Sequence, residues 1–323
     1  MTDLKTKLYQ MFILGTDGEG YKDALNKGLG GIIFFTHDIK SPEQFKKLTT
    51  EITKIAKFPP FLSIDQEGGR VERTENIHNG KKYLSAKFAF EKGEDFLRTQ
   101  TKEIAQELTN YGINLNFAPC IDVNTNPNNP IIGERAFSNK AEDVIRAEKI
   151  VSQTYRENGI IPCVKHFPGH GDANADSHLT LPKIDLPLKD MEQTHIKPFA
   201  ACAKTIEMVM VAHLHCTCFE KETIPTSLSK NAISYLRAKL GFEGVAISDD
   251  MIMKGVAAFG DVEACEMGIR AGLNMFIYRN STPETINIIE TLAKKAETDE
   301  ELQQNIEKSY ERIICLKKKF RIK

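Results

Sequence analysis

Short runs of apolar, β-branched and aromatic residues recur along the chain, and between them apolar positions fall at helical spacing. Eight such runs read as strands: 9–15, 30–36, 60–65, 113–119, 159–166, 207–214, 244–250 and 274–279. Most are continuously apolar, the pattern of strands covered on both faces. The segments between them carry helix boundaries. "SPEQFKKLTTEITKIA" places Ser41 at an N-cap, Pro42 at N1 and Gln44 at N3, with Phe45, Leu48, Ile52 and Ile55 on one face. A helix over 139–159 is expected to open at Asn139, with Glu142 three residues on. "SKNAISYLRAKLG" is expected to stop at Gly241. A final helix over about 299–319 shows Leu302, Ile306, Tyr310 and Ile313 on one stripe. Eight strands each followed by a helix predict an α/β fold of the (β/α)8 TIM-barrel type. A doubly wound open sheet is the rival, and the absence of GxGxxG after the first strand weakens its nucleotide-binding form. With no linker, repeat or low-complexity stretch in view, residues 1–323 are expected to form one barrel domain ending in a C-terminal helix.

Composition narrows the function classes. The chain has 323 residues, 27% charged and 41% apolar, with a formal net charge of −1. That balance offers no global attraction to nucleic acid or to a membrane surface. The basic end "LKKKFRIK" reads as cations complementing a helix C-terminus. No apolar run reaches the ~18 residues of a membrane span, and "MTDLKTKLYQMFILG" has no stretch of signal-peptide character. Seven cysteines without a CxxC pair fit free thiols, so a cytoplasmic address is expected.

Charged residues gather where the apolar runs stop. Asp65 follows the third run, Lys165 and His166 end the fifth, and His213 ends the sixth. Asp249 and Asp250 close the seventh, and Arg279 the eighth. In a TIM barrel these positions ring the active-site mouth. The segment "VKHFPGHGDANADSHLTLP" (164–182) is the densest in titratable groups, and three readings stand open for it: a metal site, an acid/base loop, or an inert polar loop. Pro168 and Gly169 break any helix that would align His166 with His170, and a zinc site requires a third ligand and a supporting shell. In "AHLHCTCFE", His213, His215, Cys216 and Cys218 are either ligands or a strand end with incidental thiols. Arg73 and Arg135, taken alone, read first as salt bridges on the barrel rim.

Four motifs occur in order: "SIDQEGGRVER" (63–73), "GERAF" (133–137), "KHFPGHG" with a following "DSH" (165–178), and "ISDDM" (247–251). Together they resemble glycoside hydrolase family 3, in its single-domain β-N-acetylglucosaminidase branch, from about residue 8 to about residue 280. The resemblance implies that Asp249 is the nucleophile, that His178 is the general acid/base and that Asp176 is the partner of His178. It implies that Asp65, Arg73, Arg135, Lys165 and His166 hold a terminal N-acetylglucosamine. It leaves His170 to order the loop and His213 to line the pocket. The loop glycines would let the loop fold over a bound sugar.

The chemistry is consistent with these roles. A retaining glycosidase sets a nucleophile and a proton donor on opposite sides of the anomeric carbon. A neutral imidazole is a weak acid toward a glycosidic oxygen, and an adjacent carboxylate stabilises its charged form. The expectation is therefore an exo-acting retaining β-N-acetylhexosaminidase without metal or organic cofactor. It would act on N-acetylglucosamine-containing saccharides, such as muropeptides or disaccharides from peptidoglycan recycling. The second α/β domain of larger relatives is not expected in a chain of this length. A phosphorylase, a metal-dependent barrel hydrolase and a non-catalytic sugar-binding scaffold are the competing readings.

Overall fold

The computed structural model describes residues 2–78, 80–173 and 181–322. Its strands, in chain order, are β1 (Phe12–Asp17), β2 (Gly31–Phe34), β3 (Phe61–Ile64), β4 (Leu115–Asn116) and β5 (Ile161–Phe167). There follow β6 (Lys183–Ile184), β7 (Met208–Val211), β8 (His215–Cys216), β9 (Val245–Asp250) and β10 (Met275–Asn280). Eight of them close a parallel barrel in the order β1-β10-β9-β7-β5-β4-β3-β2, with helices outside it. This is the (β/α)8 fold that the alternation predicts. β6 and β8 stand apart as a two-stranded parallel ribbon, with Lys183 opposite His215 and Ile184 opposite Cys216.

All eight expected strands form, with two instructive differences. The first begins at Phe12, because Tyr9 and Gln10 end a helix, Leu4–Gln10, capped by the Asp3 side chain on the Thr6 amide. A continuous apolar run hides this junction, since burial alone does not distinguish a helix end from a strand. The fourth strand is regular over two residues only. Its pairing continues irregularly past Pro119, which has no N–H to give, through bonds such as Ile121 N to the Lys165 carbonyl at 2.8 Å.

The helix boundaries follow local chemistry. Ser41 caps Pro42–Ile55 by accepting from the Gln44 amide at 3.2 Å, while the Gln44 side chain reaches back to the Lys40 amide at 2.9 Å. Phe45 and Ile52 are buried and Leu48 half-buried, but Ile55 at the last turn is exposed. Asn139 does not cap the next expected helix. That helix runs Ala141–Glu157, and Ser138 accepts from the Lys140 amide instead. The helix begun by Ser229 passes from α (Lys230–Ser234) to π (Tyr235–Lys239), and Gly241 follows it with φ +72°. The C-terminal helix Glu300–Lys319 is capped by Asp299 and buries Leu302, Ile306 and Ile313, with Tyr310 half-buried. Among the described residues no helix is long and apolar enough to cross a membrane.

Candidate active site

The polar strand ends converge on a cavity of about 330 Å³ at the C-terminal mouth of the barrel. Asp65, Arg73, Arg135, Lys165, His166 and Asp249 all line it, as do His170, Asp250 and Arg279. Six of the eight residues singled out from sequence are thus brought together. The other two, Asp176 and His178, lie outside the described residues. A hollow of about 590 Å³ opens at the opposite end, between residues 203–207 and the C-terminal helix. Of its two acidic residues, Glu207 and Glu243, Glu207 is already paired with Arg156 at 2.9 Å and Lys319 at 2.8 Å.

Lys165 projects from β5 with only 2% of its side chain exposed, between Asp65 and Glu67, each at 2.6 Å. Burial alone would push the ammonium's pKa down. The two carboxylates outweigh it and hold the pKa above its ordinary value. Glu67 also takes Arg135 in a bidentate pair, at 2.8 and 2.9 Å. Burial raises the Glu67 carboxyl, but Arg135 and Lys165 overcome this and leave it well below the usual range. The loop bearing Glu67 is set by Gln66. Its amide binds the Asn116 side chain, and its own side chain accepts from the Arg73 and Thr74 amides. Gly68 in this loop has φ +94°, and a Cβ there would sit 2.4 Å from the Leu84 carbonyl oxygen. Arg73 lies over the Phe35 ring at 5.8 Å, and its buried Nε has no hydrogen-bond partner among the described residues.

His166 is oriented from behind by Asp122, whose Oδ2 is 2.7 Å from Nδ1. That contact places a proton on Nδ1, so Nε2 can accept from Arg135 at 3.4 Å. Asp122 is fully buried and also accepts the backbone amides of His166 and His170. Burial raises its carboxyl, yet His166 and His170 hold it well below the carboxylate range. His170 is fixed through its backbone, which also accepts from Asn129 at 2.8 Å, while neither ring nitrogen has a hydrogen-bond partner among the described residues. Burial pushes its imidazole pKa down. The expected role of the loop glycines changes at Gly171. A Cβ there would meet the Val123 carbonyl oxygen at 1.8 Å, so this glycine seats the chain tightly against its neighbour.

The two adjacent aspartates of β9 are held apart electrostatically. Asp249 is half-buried, and its desolvation raises the carboxyl. His166, His213, the Asp250 amide at 2.8 Å and Lys165 reverse the shift and set it below the ordinary value. Burial raises Asp250, and its pair with Arg279 at 2.5 Å only partly opposes this, so its carboxyl sits above the ordinary value. The mouth therefore presents Asp249 as a carboxylate held below its ordinary value, beside Lys165 and His166. His213 does not line the cavity as expected. It is buried behind these aspartates with Nδ1 on Ser227 at 2.7 Å.

For a metal ion, Cys120, Asp122 and His166 form the one trio of potential ligands found among the described residues, with their ligand atoms within 4.8 Å of one another. The Asp122 oxygen in that trio is already bonded to both the His166 imidazole and the Cys120 thiol.

The model of the glycosyl hydrolase family 3 N-terminal domain matches residues 3–316. The chain belongs to glycosyl hydrolase family 3. It is 31% identical over 320 residues to β-hexosaminidase A of Pseudoalteromonas piscicida, covering 90% of this chain and 53% of that one. It is 31% identical over 279 residues to a β-hexosaminidase of Methylococcus capsulatus, covering 82% and 80%. Among solved structures, a family 3 β-N-acetylglucosaminidase from Paenibacillus sp. superposes with TM-score 0.91 at 30% identity, covering all of this chain and 63% of that one. The chain thus spans about half the length of the Pseudoalteromonas relative.

Two residues of this family 3 mouth escaped the sequence reading: Glu67 and Asp122. A signal was present for each. Glu67 lies two residues past Asp65, and Asp122 follows the apolar run of the fourth strand in "APCIDVN". Both obey the same strand-end rule: Glu67 follows the third strand with Asp65, and Asp122 adds the fourth.

Proposed function

We propose that this chain is an exo-acting retaining β-N-acetylhexosaminidase that releases terminal N-acetylglucosamine. The observation that carries the reading is Asp249, an ionised carboxylate facing a monosaccharide-sized cavity, ringed by Lys165, His166, Asp65 and Arg135. The names of the relatives from Pseudoalteromonas, Methylococcus and Paenibacillus support the substrate class. In this reading Asp65, Lys165, His166, Arg73 and Arg135 hold the sugar hydroxyls and offset the hydration the ring loses. Asp249 attacks the anomeric carbon and forms a glycosyl ester as the aglycone leaves. His178, charged with the help of Asp176, protonates the departing oxygen and then takes a proton from the water that cleaves the ester. The barrel acts as one catalytic unit without metal or organic cofactor. The physiological substrate is a peptidoglycan-derived muropeptide or disaccharide, met in the cytoplasm.

The test is turnover of aryl β-N-acetylglucosaminide beside aryl β-glucoside, with and without EDTA and with and without phosphate. Strong preference for the first substrate, insensitivity to EDTA and release of free sugar are expected. Equal turnover of the glucoside overturns the substrate reading. Loss on chelation with rescue by zinc overturns the metal-free mechanism. Accumulation of N-acetylglucosamine 1-phosphate turns the hydrolase into a phosphorylase.

A further inference from the structure

The ribbon of β6 and β8 carries a feature that glycoside cleavage does not use. Cys216 ends β8, Cys218 lies in the turn after it, and their sulfurs are 3.2 Å apart. A disulfide requires ~2.05 Å, so the two need only a small further approach. We propose that Cys216 and Cys218 form a peroxide-sensitive dithiol, whose oxidation to a disulfide disturbs the barrel mouth and lowers turnover there.

The pair is set apart from the four other buried cysteines, while Cys315 is exposed on the C-terminal helix. Cys120, Cys163, Cys202 and Cys265 are buried, and burial pushes each of those thiols up, away from the reactive thiolate. Cys218 is half-exposed, and the hydrogen bond from Cys216 draws its thiol down. The same contact, with burial, pushes Cys216 up. Cys218 is therefore the attacking thiolate and Cys216 the resolving thiol.

The steps balance with hydrogen peroxide as the oxidant. The Cys218 thiolate attacks one peroxide oxygen, the O–O bond breaks, and the departing hydroxide takes up the thiol proton as water. This leaves a sulfenic acid on Cys218. The Cys216 sulfur then attacks the Cys218 sulfur, the S–O bond breaks, and the hydroxyl leaves as a second water with the Cys216 proton. Two thiols and one peroxide give one disulfide and two waters.

The coupling runs through described contacts. Closing the pair draws the turn at 217–219 onto β8. That turn is tied to β6 by Thr217 N on the Ile184 carbonyl, and Phe219 in it packs on Phe167 of β5 and on Tyr235. Three residues before Cys216 stands His213, the buried imidazole behind Asp249 and Asp250. A shift of β8 thus reaches the carboxylate assigned as nucleophile. β6 is also the strand that follows the segment bearing Asp176 and His178.

The activity arm of this proposal rests on the hexosaminidase reading above. The experiment treats the full chain with hydrogen peroxide, blocks free thiols, maps disulfides by peptide mass spectrometry, and assays aryl β-N-acetylglucosaminide before and after dithiothreitol. A Cys216–Cys218 disulfide, with a several-fold fall in turnover that dithiothreitol restores, is expected. Cys218→Ser should keep the reduced rate and lose the peroxide response. Cys216→Ser should hold the sulfenic acid on Cys218, where a dimedone label finds it. Absence of the disulfide, a disulfide with unchanged turnover, or undiminished peroxide sensitivity in Cys218→Ser each overturns the proposal. The disulfide map does not depend on turnover, so a chain that oxidises at this pair yet cleaves no hexosaminide supports the dithiol and overturns the activity reading instead.

Discussion

Each end of the barrel buries a lysine, and the two are held in opposite ways. Lys165 at the mouth touches two carboxylates, Asp65 and Glu67, and its pKa is raised. Lys317 from the C-terminal helix is buried under the floor. It donates to the Gln10 side chain at 2.8 Å and to the Gly30 and Pro59 carbonyls at 3.0 and 2.8 Å, and it lies over the Phe61 ring. All of these partners are neutral, and burial pushes its pKa down to about 7. A buried ammonium can be satisfied by dipoles alone, but only ionised partners keep it charged across the working pH range. The mouth has a permanent cation available to a ligand. The floor has a fastening that ties the last helix to the starts of β2 and β3.

The largest effect that separates the ends is chemical. Asp249→Asn should lower kcat on the order of 10⁴–10⁶-fold, the scale of losing a hydrolase nucleophile. The fold should be retained, as checked by circular dichroism alongside the assay. A modest loss would move the nucleophile's role to another carboxylate, with Asp250 the first to examine. Next in size is Lys165→Met, which removes the cation shared by Asp65 and Glu67 and leaves Glu67 with Arg135 alone. Breaking a buried ion pair costs about 3–5 kcal/mol, and misplacing the sugar should cost on the order of 10²-fold in kcat/KM. Denaturant unfolding and kinetics read the two effects separately.

Lys317→Met should behave differently. Leaving its acceptors unpaired should cost about 1–3 kcal/mol in unfolding, with kcat/KM unchanged. A fall in kcat/KM per folded molecule would break the separation of floor from mouth. Taken per pH unit, its pH dependence is the smallest effect. The folded pKa is about 7, against about 10.4 unfolded. Between these values the unfolded chain binds more protons, so stability rises with pH. The natural chain should therefore gain on Lys317→Met by at most about 1.4 kcal/mol per pH unit over that window, and the difference should level off below it. The mouth carboxylates respond at the other extreme. Glu67 and Asp122 are lowered in the fold, so their contribution stands above their unfolded values of about 4.3 and 3.9 and is lost as pH falls further. Parallel curves for the natural chain and Lys317→Met across the alkaline window would show that the floor lysine stays charged.

Much of the mouth was legible because a TIM barrel turns a local pattern into a place. Asp65, Lys165, Asp249 and Arg279 each lie where an apolar run ends, and the fold puts every such end on one ring. Arg73 and Arg135 needed the family resemblance, since they come from loops where no periodicity indicates direction. The last two residues of the helix Leu4–Gln10, Tyr9 and Gln10, read as the start of the first strand, because they run directly into the apolar residues of β1.

By itself, the sequence determined the alternation of strand and helix, the barrel it closes into, and the set of charged residues at its mouth. These follow from hydrophobic period and turn chemistry, which act over a few residues. Only the tertiary structure decided which charges meet. Lys165 finds Asp65 across 100 positions, Arg135 finds Glu67 across 68, and His166 finds Asp122 across 44. Burial sets Asp250 above the ordinary carboxylate value, while His166, His213, the Asp250 amide and Lys165 overcome burial and set Asp249 below it, though the two are neighbours in the chain. A side chain's charge state depends on its burial and on the charges facing it, and both are properties of the closed barrel.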